Sequence, residues 1–186
     1  MTLTPKNAGW IEVICGSMFS GKTEELIRRI RRAEIAKMST IIFKPQIDDR
    51  FSSNHVVSHN QSKRKSKLVK NAQEILNQAT NMDVIGIDEA QFFDDNIVNV
   101  CKSLAKINKR VVVAGLDKDF RGNSFGPMPA LMCEADYLDK LRAICLKCGN
   151  PASCSQRITK DSQQVVIGEA NIYEARCRNC FEAPEH

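Results

Sequence analysis

The chain has 186 residues, of which 42% are apolar. That suits one ordinary domain with a buried core and a small appendage, and excludes a large multidomain assembly. Its 27 Lys and Arg against 22 Asp and Glu leave a net charge of +5, a mild excess that suits phosphorylated ligands but falls short of a nucleic-acid footprint.

In chain order, "WIEVIC" (residues 10–15) is an apolar run stopped by Gly16 and reads as a buried strand. After Lys22 the period changes. Leu26, Ile27, Ile30, Ala33 and Ile35 recur at helical spacing, with Arg28, Arg29, Arg31 and Arg32 on the other sides. "TIIFKP" (Thr40 to Pro45) is the next strand, closed by proline. The polar stretch 48–67 shows no periodicity and is long enough to read as a functional or mobile loop; its Lys63, Arg64, Lys65 and Lys67 read as a solvated basic face, with no aromatics interleaved for base stacking. "LVKNAQEILNQA" places Leu68, Val69, Ala72, Ile75, Leu76 and Ala79 on one helical face. "MDVIGIDEA" supplies a third strand, and Ile97, Val98, Cys101, Leu104 and Ala105 a further helix. "RVVVAGL" (Arg110 to Leu116) is a β-branched run typical of a central parallel strand. The alternation predicts an α/β fold, a parallel sheet with helices on both faces. Past Leu141 the pattern breaks into short stretches around cysteines, so the chain divides into 1–140 and 141–186.

"GSMFSGKT" (Gly16 to Thr23) matches GxxxxGK[ST] between a predicted strand and a predicted helix, the context that gives the pattern meaning. The glycines let backbone N–H groups turn toward phosphates and the following helix start adds partial positive charge. Lys22 would neutralise phosphate oxygens and the Thr23 hydroxyl would ligate Mg²⁺. "VIGIDEAQFF" ends a strand in Asp88, a carboxylate placed to hold Mg²⁺ at the same sheet edge. Glu89 beside it reads either as a solvent-facing strand end or as the base that takes a proton from the attacking hydroxyl. Water or an alcohol would serve as nucleophile, so the pair does not separate an ATPase from a kinase.

Of the eight cysteines, Cys145 with Cys148 and Cys177 with Cys180 form two CxxC knuckles. Four thiolates close a tetrahedral, structural Zn²⁺ site, although the insertion between the knuckles exceeds the usual spacing of about 15 to 20 residues. Such a site would pin the insertion into a lasso, whose metal would be expected to matter to the acceptor before the donor. Cys15, Cys101 and Cys133 read as small buried apolar residues, and Cys154 has no assignment. No apolar run reaches the ~20 residues of a membrane span and no basic-then-apolar leader opens the chain, which predicts a cytoplasmic protein.

Taken together, "GSMFSGKT", "KPQIDDRF", "IDEAQFF", "GLDKDFRGNSFG", the paired knuckles and "VVIGEANIYEARCRNC" resemble the zinc-containing thymidine kinases of the cytosolic and bacterial type, in order and over nearly the whole chain. The resemblance implies a RecA-like P-loop domain and a small C-terminal zinc lasso closing over the nucleoside. It implies transfer of the ATP γ-phosphate to the 5′-hydroxyl of thymidine, and of deoxyuridine, in pyrimidine salvage. By that resemblance Gly16, Ser17, Met18, Phe19, Ser20, Gly21, Lys22 and Thr23 form the ATP loop; Asp48, Arg50, Asp88 and Gln91 stand about Mg²⁺ and the phosphates; and Glu89 is the catalytic base. Met18, Phe92, Leu116, Phe120 and Phe125 would line the nucleoside pocket. Gln164, Val165, Val166, Ile167 and Gly168 would grip the pyrimidine edge through their main chain, beside Tyr173. Family members are typically homotetramers inhibited by thymidine triphosphate. Neither a membrane nor a nucleic acid is expected as partner; the competing reading is a P-loop ATPase with a zinc ribbon acting on nucleic acid, using "QSKRKSKLVK" to hold phosphates.

Overall fold

The computed structural model describes residues 8–46, 66–159 and 172–183, together with the strand backbones of 55–57 and 63–65. Strand β1 (Trp10–Gly16) leads into helix α1 (Lys22–Ile35), followed by β2 (Thr40–Pro45). Next come β3 (His55–Val57), β4 (Lys63–Lys65), β5 (Lys67–Val69), α2 (Ala72–Ala79) and β6 (Val84–Ile87). Helix α3 (Asn96–Lys106), β7 (Arg110–Gly115), α4 (Met128–Glu134) and β8 (Tyr137–Leu141) complete the body. The cysteine-rich part holds β9 (Ala143–Ile144), β10 (Pro151–Ala152), β11 (Cys154–Arg157) and β12 (Tyr173–Arg176).

Six strands form one sheet in the order β5-β2-β6-β7-β1-β8, with every neighbouring pair parallel. Alternation along the strands feeds two cores. Ile11, Val13, Cys15, Val111 and Val113 face α2, α3 and α4, whereas Ile14, Val112 and Ala114 face α1. Helix α1 lies close to the sheet because Gly86 has no side chain: a Cβ there would stand 3.2 Å from Ile42 and 3.3 Å from Ile30.

Helix ends set the strand entries. Helix α1 stops in a Schellman motif, with Lys37 at φ 61, its N–H on the Glu34 carbonyl and the Met38 N–H on that of Ala33. Helix α3 stops the same way at Asn108, φ 64. Both return the chain directly to a strand.

Four expectations are corrected. Ile35, read on the apolar face of α1, is 74% exposed as the last residue of that helix. Leu68 and Val69 are not on the α2 face but in β5, parallel to β2, because the Asn71 side chain caps α2 by accepting the Glu74 N–H at 3.1 Å. The aperiodic stretch 48–67 contains an antiparallel pair, β3 with β4. Cys133 is exposed on α4 while Cys15 and Cys101 are buried; α4 is short, and only Met128 and Leu131 turn inward.

Candidate functional site

Strands β6, β7 and β1 are neighbours, so the chain segments leaving their C-terminal ends meet: Asp88 to Phe92, Leu116 to Gly126, and Gly16 to Thr23. The loop after β1 turns at Gly16, φ 145, where a Cβ would lie 2.4 Å from the Leu141 carbonyl. It turns again at Gly21, φ 84, the residue before α1. Lys22 is half-buried and its Nζ donates to the Ser17 carbonyl at 2.7 Å. Burial lowers its pKa, against the opposing pull of Glu89, Asp88 and Asp117. Thr23 opens the helix beside it.

Asp88 is 3% exposed, and burial together with the charge of Glu89 pushes its carboxyl up to about 7. Such a group gains most from a cation placed against it. Glu89 stands at φ 53, and its Oε2 accepts from Gln91 Nε2 at 2.6 Å. The same Gln91 side chain accepts the Leu116 N–H at 2.9 Å through Oε1. Gln91 therefore ties the exit of β6 to the exit of β7. Phe92 and Phe125 meet edge to face with centroids 5.4 Å apart.

In the cysteine-rich part the sulfurs of Cys145, Cys148, Cys177 and Cys180 all lie within 4.8 Å of one another. Zn–S bonds of about 2.3 Å place tetrahedral sulfurs about 3.8 Å apart; Cys148 and Cys177 stand at 3.6 Å, and all four cysteines are unbridged. Desolvation raises the Cys145 thiol, but N–H groups of Cys177, Lys147 and Cys148 outweigh it and draw the pKa down to about 6. The donor set could hold a zinc ion.

A sequence profile described as thymidine kinase matches residues 9–181. A "Thymidine kinase" of Rhodothermus sp. is 55% identical over 96% of this chain and 84% of its own length. One from Bacteroides thetaiotaomicron is 53% identical over 95% of this chain and 88% of its own. The chain belongs to the thymidine kinase family.

In this member of the thymidine kinase family the loop after β7 is braced by Asp119. This buried carboxylate accepts the N–H groups of Arg121 at 2.9 Å and Asn123 at 3.0 Å, fixing the segment that presents Phe120 and Phe125. Leu116 is half-buried beside Gln91. Phe120 is buried under the Arg157 guanidinium, whose Cζ lies 3.6 Å from the ring centroid, and Arg157 Nη2 donates to the Tyr173 hydroxyl at 2.5 Å. Phe120 and Tyr173 are thus joined through Arg157, while Phe92 and Phe125 pair with each other. Met18 and Phe19 lie where the loop of Gly16 to Thr23 meets the cysteine-rich part. Asp48, Arg50 and the segment Gln164, Val165, Val166, Ile167, Gly168 lie outside the described residues.

Sequence reasoning missed three residues. Asp117 is buried and ion-pairs with Lys140 of β8 at 2.7 Å, within electrostatic reach of Lys22. Its signal was available: "RVVVAGLD" repeats the strand-then-Asp pattern of "VIGID". Arg157 and Ser155 lack such a signal, because only the pairing of β11 with β12 brings them to the site.

Proposed function

We propose that this chain transfers the γ-phosphoryl group of ATP to the 5′-hydroxyl of thymidine, and of deoxyuridine. The observation that carries the reading is the Gln91 bridge, which fixes the Glu89 carboxylate at the mouth of a phosphate loop while also holding the loop that presents Phe120 and Phe125. A carboxylate aimed by a neighbour suits an alcohol nucleophile that must lose its proton.

In this reading the N–H groups from Gly16 to Thr23 receive the ATP phosphates and Lys22 offsets their charge. Thr23 and Asp88 would hold Mg²⁺, which when bound would neutralise negative charge on the phosphates. Asp48 and Arg50 would assist at the phosphates. Glu89 accepts the proton of the 5′-hydroxyl as that oxygen bonds to the γ-phosphorus and the bond to the ADP oxygen breaks. Met18, Phe92, Leu116, Phe120, Phe125 and Tyr173 would flank the nucleoside, with the backbone of 164–168 on the pyrimidine edge. Cys145, Cys148, Cys177 and Cys180 would hold a structural Zn²⁺, closed to substrate by its four ligands. The division into a nucleotide-binding body, 1–140, and a lasso, 141–186, follows from that assignment.

Incubation with MgATP and a nucleoside panel, followed by chromatography of the phosphorylated products, tests the function. Transfer to thymidine and deoxyuridine but not to purine nucleosides is expected; ATP hydrolysis stimulated only by DNA or RNA would replace this reading with a nucleic-acid-dependent ATPase. The family assignment also leads us to propose a cytoplasmic homotetramer inhibited by thymidine triphosphate. Light scattering should give four times the chain mass, and added thymidine triphosphate should depress turnover. No helix among the described residues is long and apolar enough to cross a membrane.

A further inference from the structure

Phe19 stands at φ 63, in the left-handed region that side-chain-bearing residues rarely adopt. Its ring is held there by packing against the small core of Ala143, Cys145, Ala152, Ala175 and Cys177. Two of these are members of the thiol cluster. The residues before it lean the same way: the Met18 N–H donates to Ser155 Oγ at 3.0 Å, and Ser17 Oγ lies 3.5 Å from the Ala152 carbonyl. Three successive residues of the phosphate loop therefore rest on the cysteine-rich part. A glycine-rich phosphate loop needs no such support from its sequence pattern, since its turns and the helix behind it suffice to aim its N–H groups.

We propose that the phosphate loop and the thiol cluster are thermodynamically coupled through Phe19 and Ser155, acting as positioning residues, so that metal on the cysteines holds the loop in its nucleotide-binding form. The inference rests on the donor-site reading given above and revises one expectation from the sequence: metal loss costs donor affinity as well as acceptor affinity. Binding linkage is reciprocal, so the factor by which the metal tightens nucleotide is the factor by which nucleotide tightens the metal.

Zinc affinity is measured by equilibrium competition with a chromogenic chelator of known affinity, with and without a non-hydrolysable ATP analogue and Mg²⁺. A fluorescent ATP analogue is titrated before and after zinc removal. Nucleotide should tighten zinc binding, and zinc removal should weaken the analogue, by the same factor, in the range of about 5 to 150. Phe19→Ala and Ser155→Ala should each shrink both effects while one zinc per chain is still bound, and Phe19→Leu should restore part of them. A zinc affinity unchanged by nucleotide, or variants that leave both effects intact, would overturn the coupling. Failure of the fluorescent analogue to bind the zinc-loaded protein would instead overturn the donor-site reading on which it rests.

Discussion

In the proposed transfer Glu89 is the base, and its backbone departs from the strand that precedes it. At φ 53 and ψ 41 it ends β6 in a left-handed turn, a conformation disfavoured for a residue with a Cβ, and the Gln91 side chain takes up the redirected carboxylate. Glu89→Gln keeps the size and the turn but cannot accept a proton. Turnover should fall by about 10²- to 10⁴-fold while the Kd for MgATP holds, measured by steady-state kinetics beside nucleotide titration; unchanged turnover would remove the base. Gln91→Leu should act on both of its partners. The half-buried Leu116 N–H loses its acceptor, a cost of about 1 kcal/mol, and the Glu89 carboxylate loses its anchor. A lower urea midpoint together with a lower kcat would bear this out, and a loss of stability with kcat intact would leave Gln91 only a structural role. The residue types were legible from the "IDEAQFF" motif, yet the two-sided bond of Gln91 was not, because Leu116 lies on a different strand exit.

At the scale of elements, α1 follows the loop of Gly16 to Thr23 and lies against the sheet where Gly86 makes room for it. A methyl group at Gly86 would meet Ile42, Ile30 and Leu26 at 3.2 to 3.4 Å, so each neighbour must give by a few tenths of an ångström. Gly86→Ala should cost about 1–3 kcal/mol and lower the Tm by several degrees, read by calorimetry. A variant as stable as the parent would show that α1 has slack above the sheet. The alternation of strands and helices was readable because apolar periods of 2 and 3.6 differ plainly over "RVVVAGL" and residues 26–33. The edges were not. Strand β8, "YLDKL", has only intermediate or exposed positions and so carries no apolar signature; it is a strand because β1 offers it a parallel edge. Leu68 and Val69 fit a helical face as well as a strand, and the Asn71 cap decides between them.

Across the whole molecule, β1, α1, β7 and β8 are tied by one charge network. The buried Glu12 receives Arg29 at 2.7 Å and Arg110 at 2.6 Å, while Arg29 also reaches Glu25 at 2.8 Å and Asp139. Burial alone would raise the Glu12 pKa, but bonds and charge from Arg110, with bonds from Trp10 and Arg29, bring it below its ordinary value. Glu25, bonded first to Arg28 and then to Arg29, is lowered to about 2. Both folded values lie below the ordinary 4.5, so the stability they contribute is full above that pH and is lost as pH falls through the folded values. The urea midpoint should therefore drop between about pH 4.5 and 2, and Glu12→Gln should lower the neutral-pH midpoint while flattening that drop. The neutral-pH cost should be about 3–5 kcal/mol, as expected when one member of a buried network is removed. An acid limb identical in the variant would place the pH dependence elsewhere.

Contiguous residues carry the motifs from which the chemistry is proposed: Gly16 to Thr23, the Asp88–Glu89 pair and the two CxxC knuckles, each legible because its residues are neighbours in the chain. The class of the fold was legible in the same way, because periodicity is a property of neighbouring residues. What those motifs touch follows from the packed fold. That β7 lies between β1 and β6, that Asp117 joins their site, that Arg157 links Phe120 to Tyr173, and that Phe19 rests on the cysteine core are contacts between residues far apart in the chain. Such contacts depend on strand order and packing, which no short-range pattern encodes.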